Sequence, residues 1–271
     1  MLSEEQRLEL DRNGIVRLPG AVPRSDAEEM CDSIWTMLER RYQISRGNRE
    51  TWKSRRVAGT HDVPRSVTFG QVGSPGVREA LDDLFGPGEW QEPDVWGSLL
   101  VSFPDSDRWD VPSKSWHLDF PALRSAPGLF AVRIFTCLAG LEAGGGGTVF
   151  VAGSHRLVQN LFRIAGPERF RSADARRALI AKHVWMKELC SRDQTSDRVD
   201  RLMRNTTVVD GVDVRVVEMA SEAGDVLLTH PLLLHAGARN CAIHPRMVLS
   251  TTVYRGGFDW RTLFAGGGER A

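Results

Sequence analysis

In the stretch SKSWHLDFP, His117 and Asp119 stand two positions apart, close enough for an imidazole and a carboxylate to share one metal ion. On a strand, residues i and i+2 project to the same face, so both side chains would enter one cavity. The chain has seven histidines, which makes a chance H-x-D commonplace, so the tripeptide alone establishes no site. A third ligand must come from elsewhere. The segment GDVLLTHPLLLHAGARN offers His235 at the end of an apolar run, and Arg246 follows eleven positions later at the head of MVLSTTV. Two histidines and one carboxylate cap one face of an octahedral Fe(II) and leave three positions open. Those positions suit a bidentate 2-oxo acid and dioxygen, and an arginine supplies a planar fork for the far carboxylate of the oxo acid. A buried arginine on a strand is costly unless paired, which makes Arg246 informative.

Other candidates weigh less. His230 lies five residues before His235, an odd offset that puts the two on opposite faces of a regular strand. The spacing to Arg246 favours His235, and His230 reads as a packed or supporting histidine. His155, in GSHR, reads as a side chain tying a turn, while His61, His183 and His244 carry no partner pattern. Gly144 to Gly147 lack the Lys-Ser or Lys-Thr of a phosphate loop and precede a strand, so a tight turn is expected. Trp109, Trp116, Phe120 and Trp260 read as core first and as cavity lining second. Arg124 and Arg133 could meet an anionic substrate or form ordinary ion pairs.

The elements that must position these residues show a change of period along the chain. Ser3 is a candidate N-cap with Gln6 in the capping-box position, GIVRLPG reads as a short strand, and SDAEEMCDSIWTMLERRYQ as a helix capped by Ser25. Beyond about residue 95, short β-branched and aromatic runs are separated by Gly, Pro, Asn and Asp, and Asp210-Gly211 marks a hairpin. A helical pattern from Leu157 to Asn205 interrupts these strands and is a candidate substrate cover. Strand and helix do not alternate, so a mainly β double-sheet jelly roll is expected rather than a doubly wound parallel sheet. The expected organisation is one domain over 1–271, with a helical segment 1–94 and the insertion 157–205.

Three blocks, WHLDF, GGGGTVFVAGSHR, and HPLLLHAGARN with PRMVLS, carry a family likeness. In their order and spacing it resembles the phytanoyl-CoA dioxygenase family of Fe(II)/2-oxoglutarate-dependent oxygenases, over most of its length. Ala152 stands where the family's G-G-T-x-x-x-P-G-S-H segment usually has proline. The resemblance implies that His117, Asp119 and His235 form the catalytic iron site and that Arg246 binds the distal carboxylate of 2-oxoglutarate. It further implies cosubstrate contacts from Thr148 and Lys114, and a double-stranded β-helix (jelly-roll, cupin-like) core with flanking helices. The activity implied is a non-haem iron dioxygenase using Fe(II), 2-oxoglutarate and O2, hydroxylating an unactivated C–H bond of a small molecule with release of succinate and CO2. WGSLLVSFP lacks the glutamine or asparagine that would help hold the cosubstrate. Asp119 argues against a halogenase, in which a small residue replaces the carboxylate. Two alternatives stay open: a non-oxidative metal-dependent isomerase or hydrolase, which has no need of Arg246, and a catalytically inactive jelly-roll ligand-binding protein.

Bulk properties set the remaining expectations. Net charge is zero, so nothing points to nucleic acid, although Arg40 to Arg56 form a local basic cluster that reads as a solvated surface segment. No apolar run approaches the roughly 20 residues of a membrane helix, and the start MLSEEQRLELDRNG is too charged for a signal peptide. Four dispersed cysteines read as buried thiols, and with them a cytoplasmic compartment is expected. A small-molecule substrate and a monomer or homodimer complete these expectations.

Overall fold

The computed structural model describes residues 1–52, 69–120, 122–123, 128–165, 170–192, 195 and 197–258. His61, Arg124, Trp260 and the end of the basic cluster from Lys53 lie outside them. Helix α1 (Glu4–Asn13) starts on the capping box formed by Ser3 and Gln6 and ends at Gly14, whose φ of 74° no β-carbon favours. Strand β1 (Ile15–Leu18) follows, then α2 (Arg24–Tyr42). Ser25 does not cap α2. Pro23 holds the N-cap position and its carbonyl already accepts from Asp26 and Ala27, so the helix begins before Ser25. Helix α3 (Pro75–Phe85) is capped by Ser74 with proline in its first turn.

The β elements are β2 (Ser98–Ser102), β3 (Ala122–Leu123), β4 (Ala131–Cys137), β5 (Thr148–Ala152), β6 (Phe170–Arg171), β7 (Thr207–Val209), β8 (Val212–Glu218), β9 (Val226–Thr229), β10 (His235–Gly237) and β11 (Arg246–Tyr254). They form a five-stranded sheet ordered β1-β9-β4-β11-β2 and a four-stranded sheet ordered β10-β5-β8-β7, with β3 paired to β6. Every pairing is antiparallel. Asp210 and Gly211, at φ 46° and 73°, make the turn between β7 and β8.

Alternation along the strands sorts their residues into layers. Val132 and Ile134 of β4 and Met247, Leu249 and Val253 of β11 face outward into a core with Met30, Ile34, Leu38 and Leu81 of α2 and α3. Val149 and Val151 of β5 and Val212, Val214 and Val216 of β8 face outward into a second core. Phe135 and Cys137, Phe150 and Ala152, Leu227 and Val248 meet between the two sheets. The architecture is the expected jelly roll, a mainly β sandwich with helices against both outer faces.

Between β5 and β7 the helical pattern becomes α4 (Ser154–Ala165), α5 (Ser172–Lys182), α6 (Val184–Leu189) and a π-helical turn (Asp200–Arg204). Leu157, Val158, Leu179, Met186, Leu189 and Leu202 from this region are buried in the second core. Each fully buried side chain of this kind contributes about 1.5–3 kcal/mol. Arg198, only 1% exposed, ties the region to the segment before His117: it pairs with Asp110 at 3.1 Å and donates to the carbonyls of Val111 and Leu189. The expected cover thus packs its apolar face on the outside of the smaller sheet. The cysteines are all free, and burial pushes the thiols of Cys31 and Cys137 up to about 11 and about 12. Among the described residues no helix is long and apolar enough to cross a membrane.

Candidate metal centre

His235 opens β10 directly opposite His117, and the two exchange backbone hydrogen bonds of 2.9 and 3.0 Å. This hydrogen-bonded pair places both rings on one face, 4.2 Å apart between centroids. Asp119, two residues past His117, adds its carboxylate on the same side, so one ligand atom from each of the three lies within 4.8 Å of the others. Phe150, the register partner of His235, and Phe135 close the inner side of that ring.

Each histidine is oriented by its own chain. Nδ1 of His117 lies 2.7 Å from the carbonyl of Ser115, and Nδ1 of His235 lies 3.0 Å from that of Leu233. A carbonyl only accepts, so each Nδ1 carries a proton and each ring turns its Nε2 the other way. Nε2 of His235 sits 3.3 Å from Asp119 Oδ2, and Nε2 of His117 sits 3.7 Å from Oδ1. Oδ2 is buried and receives no aligned hydrogen bond. Three potential ligand atoms therefore converge on one point, an arrangement that a cation fits.

The electrostatics favour ionised carboxylate and neutral ring. Burial pushes the Asp119 carboxyl up, but His235, then Arg133 and His117, outweigh it and hold the group down at about 2. Desolvation, followed by the neighbouring His235, pushes His117 below the usual histidine range. Arg133 is an active neighbour rather than a surface ion pair. Its Nη1 lies 3.3 Å from Asp119 Oδ2, while Ser250 and Thr252 accept from the same guanidinium at 2.8 and 3.2 Å. Its place on β4 was legible. Its bonds to Ser250 and Thr252 depend on pairing between β4 and β11, which no local pattern encodes.

Arg246 heads β11 on the same inward series as Val248, Ser250 and Thr252. Its Nη1 donates to the Gly146 carbonyl at 2.7 Å, which gives the glycine run a second task. Gly146 has φ 78°, and a β-carbon there would meet Asn240 at 2.8 Å. The run is therefore a tight turn that also anchors the arginine. Thr148 is buried on the inward face of β5, opposite Gly237. Lys114 is exposed in the wall of a neighbouring cavity, and among the described residues no hydrogen bond or ion pair links it to Arg246 or Thr148.

His230 joins none of this. It is buried against His155, with ring centroids 4.8 Å apart, and His155 Nε2 meets the Asp11 carbonyl at 3.0 Å. Trp116 and Phe120 are core residues, and Trp109 packs against the same core. His183, read from the sequence as lacking a partner, is buried 3.6 Å from Asp210.

An antiparallel jelly roll with two histidines and a carboxylate gathered inside one end defines a class, the cupin-like metalloenzyme folds. The match of residues 10–248 to the phytanoyl-CoA dioxygenase (PhyH) family model goes further: the chain belongs to that family, and so to the 2-oxoglutarate-dependent non-haem iron enzymes, which use Fe(II), 2-oxoglutarate and O2. No curated protein matches it in sequence. Among solved structures it is similar to the α-ketoglutarate-dependent epimerase SnoN from nogalamycin biosynthesis, at 15% identity and a TM-score of 0.52 over 98% of this chain and 91% of that one. HygX from Streptomyces hygroscopicus, solved with nickel and 2-oxoglutarate, matches at 16% identity and 0.53 over 95% and 89%. The non-haem monooxygenase ThoJ matches at 17% and 0.50 over 92% and 76%. At these identities the likeness establishes the fold.

Proposed function

We propose that the chain hydroxylates an unactivated C–H bond of a small molecule, with His117, Asp119 and His235 holding Fe(II) and Arg246 holding the distal carboxylate of 2-oxoglutarate. The observation that carries this reading is the convergence of both Nε2 atoms on the Asp119 carboxylate, with an arginine on the inward face of β11. When bound, iron and 2-oxoglutarate supply the oxidising power, and the oxo acid leaves as succinate and CO2.

The chain's own residues do the positioning. The carbonyls of Ser115 and Leu233 fix both tautomers, so the rings need not reorganise when a cation arrives. His235, and after it Arg133 at 3.3 Å, hold the Asp119 carboxylate ionised. Gly146 braces one nitrogen of Arg246 and thereby sets the direction of the fork, while the Thr148 hydroxyl is assigned to the same cosubstrate.

Anaerobic titration of Fe(II) and 2-oxoglutarate tests the assignment. The expected result is a weak visible charge-transfer band that is lost in His117→Ala and in Arg246→Ala. Its absence from folded wild-type protein overturns the reading. Oxygen then distinguishes reaction types: a product heavier by one oxygen atom supports hydroxylation, and an unchanged mass with inverted stereochemistry supports an epimerase.

A further inference from the structure

Close in sequence to the three candidate ligands lies a cavity of about 610 Å³, walled by Ser106, Arg108 and residues 110–115, by Arg192 just beyond α6, and by Gly237 and Arg239 at and beyond the end of β10. Arg108, Lys114, Arg192 and Arg239 all line it. Asp110, its one acidic wall residue, is already matched by the buried Arg198 at 3.1 Å. Among the described residues none of the four cations forms an ion pair, and Arg239 reaches only the Ser106 hydroxyl, at 3.4 Å. Four cations without an ion-pair partner among the described residues give this cavity a local positive charge in a chain of zero net charge.

The cavity touches the metal centre through two wall residues. Ser115, at φ 65°, gives its carbonyl to His117 Nδ1. Gly237 lies two positions past His235, on the same face of β10, and a β-carbon built there meets nothing within 4 Å. Space is thus open over Gly237 on the face of β10 that His235 shares. A single carboxylate would leave most of the four cations unmatched. A phosphate group brings nearly two charges and several acceptor oxygens, and the hydroxyls of Ser106 and Ser113 stand in the same wall.

We propose that this cavity is the anion subsite for a phosphorylated small-molecule substrate, with Arg108, Lys114, Arg192 and Arg239 gripping the phosphate while the remainder extends past Gly237 to the metal. The proposal rests on the oxygenase reading and gives it a substrate class. It also reassigns Lys114 from the cosubstrate to the substrate.

The test uses the full chain in two separate titrations. Inorganic pyrophosphate is titrated calorimetrically into metal-free protein at low ionic strength, for wild type and for the triple variant R108Q/R192Q/R239Q. The Fe(II)–2-oxoglutarate band is recorded anaerobically for both proteins without pyrophosphate. Expected are binding to wild type that weakens with added salt, a loss of affinity of at least about tenfold in the variant, and an unchanged band. No binding to wild type, or equal binding to the variant, overturns the proposal. A band present in wild type and lost in the folded variant overturns it too, since the cations would then serve 2-oxoglutarate itself. Pyrophosphate binding by a wild type without the band supports the anion site and overturns the oxygenase reading. Should the triple variant fail to fold, the exposed Lys114→Gln is expected to show a smaller loss in the same titration, and no loss there counts against the site.

Discussion

His117 and His235 face each other at 4.2 Å between ring centroids, and His155 and His230 do so at 4.8 Å. The first pair aims both Nε2 atoms at a carboxylate and stands at an open end of the sandwich. The second is sealed: burial pushes His155 down to about 4 and His230 to about 3, and among the described residues no carboxylate completes a metal-ligand set with them. Nδ1 of His230 accepts from the Leu232 amide, and His155 Nε2 is spent on the Asp11 carbonyl. Two imidazoles in contact are therefore not a metal site. The difference lies in where the chain spends each ring's hydrogen-bonding atoms, and in whether an anion stands by.

Exchanging alanine into each pair is the sharpest way to break this contrast. His235→Ala is expected to weaken Fe(II) binding by at least about 1,000-fold, since even residues that merely orient a ligand cost 10–100-fold. His230→Ala is expected to keep iron affinity within about twofold and to lose about 2–3 kcal/mol of stability, through the cavity and the unpartnered amide it leaves. Metal titration and urea unfolding of the two variants separate these effects. Iron lost from His230→Ala and kept by His235→Ala would reverse the assignment.

Arg246 sharpens the role of the first pair. Arg246→Met is expected to weaken 2-oxoglutarate by about 100-fold while Fe(II) affinity holds, because the arginine answers the cosubstrate's charge and not the metal's. The chelate band, titrated at fixed iron, reads this directly. Equal loss of iron would mean that the arginine supports the fold of the site instead.

How much of this was legible follows from the range of each interaction. His117, Asp119, His235 and Arg246 could be picked out because strand alternation and a fixed spacing are local properties. The Ser3–Gln6 capping box and the Asp210-Gly211 turn were legible for the same reason. Ser25 misled because a nearby proline competed for the cap. His155 was read as tying a turn, but its partner His230 lies far along the chain, and only the fold brings them together. The outward packing of the insertion was equally hidden, since an amphipathic pattern says that a face is buried and not against what. The four cations of the neighbouring cavity come from three separated segments and form no motif.

Acid probes the second pair most strongly, because its two rings are pushed down furthest. Both rings have folded-state pKa values far below the ordinary 6.5, so the unfolded chain binds the protons. Their contribution is complete above about pH 6.5 and is lost as pH falls through the window toward 4 and 3. Between pH 7 and pH 5 the expected loss is on the order of 2 kcal/mol per ring. His230→Leu, which removes one proton acceptor, should flatten this slope. A wild-type stability that does not change over that range would mean that the two rings are already solvated.

The smallest effect reaches the second pair from a distance. Helix α1 delivers both the Asp11 carbonyl that holds His155 and Gly14, whose carbonyl accepts from the His230 amide at 2.8 Å. Gly14 also has to be glycine there, since a β-carbon would stand 2.6 Å from His155 Nδ1. The helix is held at its start by Ser3, which accepts from Gln6, while the Gln6 side chain accepts from the Ser3 amide. Ser3→Ala removes one arm of that box and is expected to cost about 1 kcal/mol. Because α1 borders the sealed pair and not the open one, the loss should appear in the unfolding midpoint, with Fe(II) affinity unmoved. A matching drop in iron binding would show that the two histidine pairs are coupled through β1 and β9, and that the sealed pair helps to set the geometry of the open one.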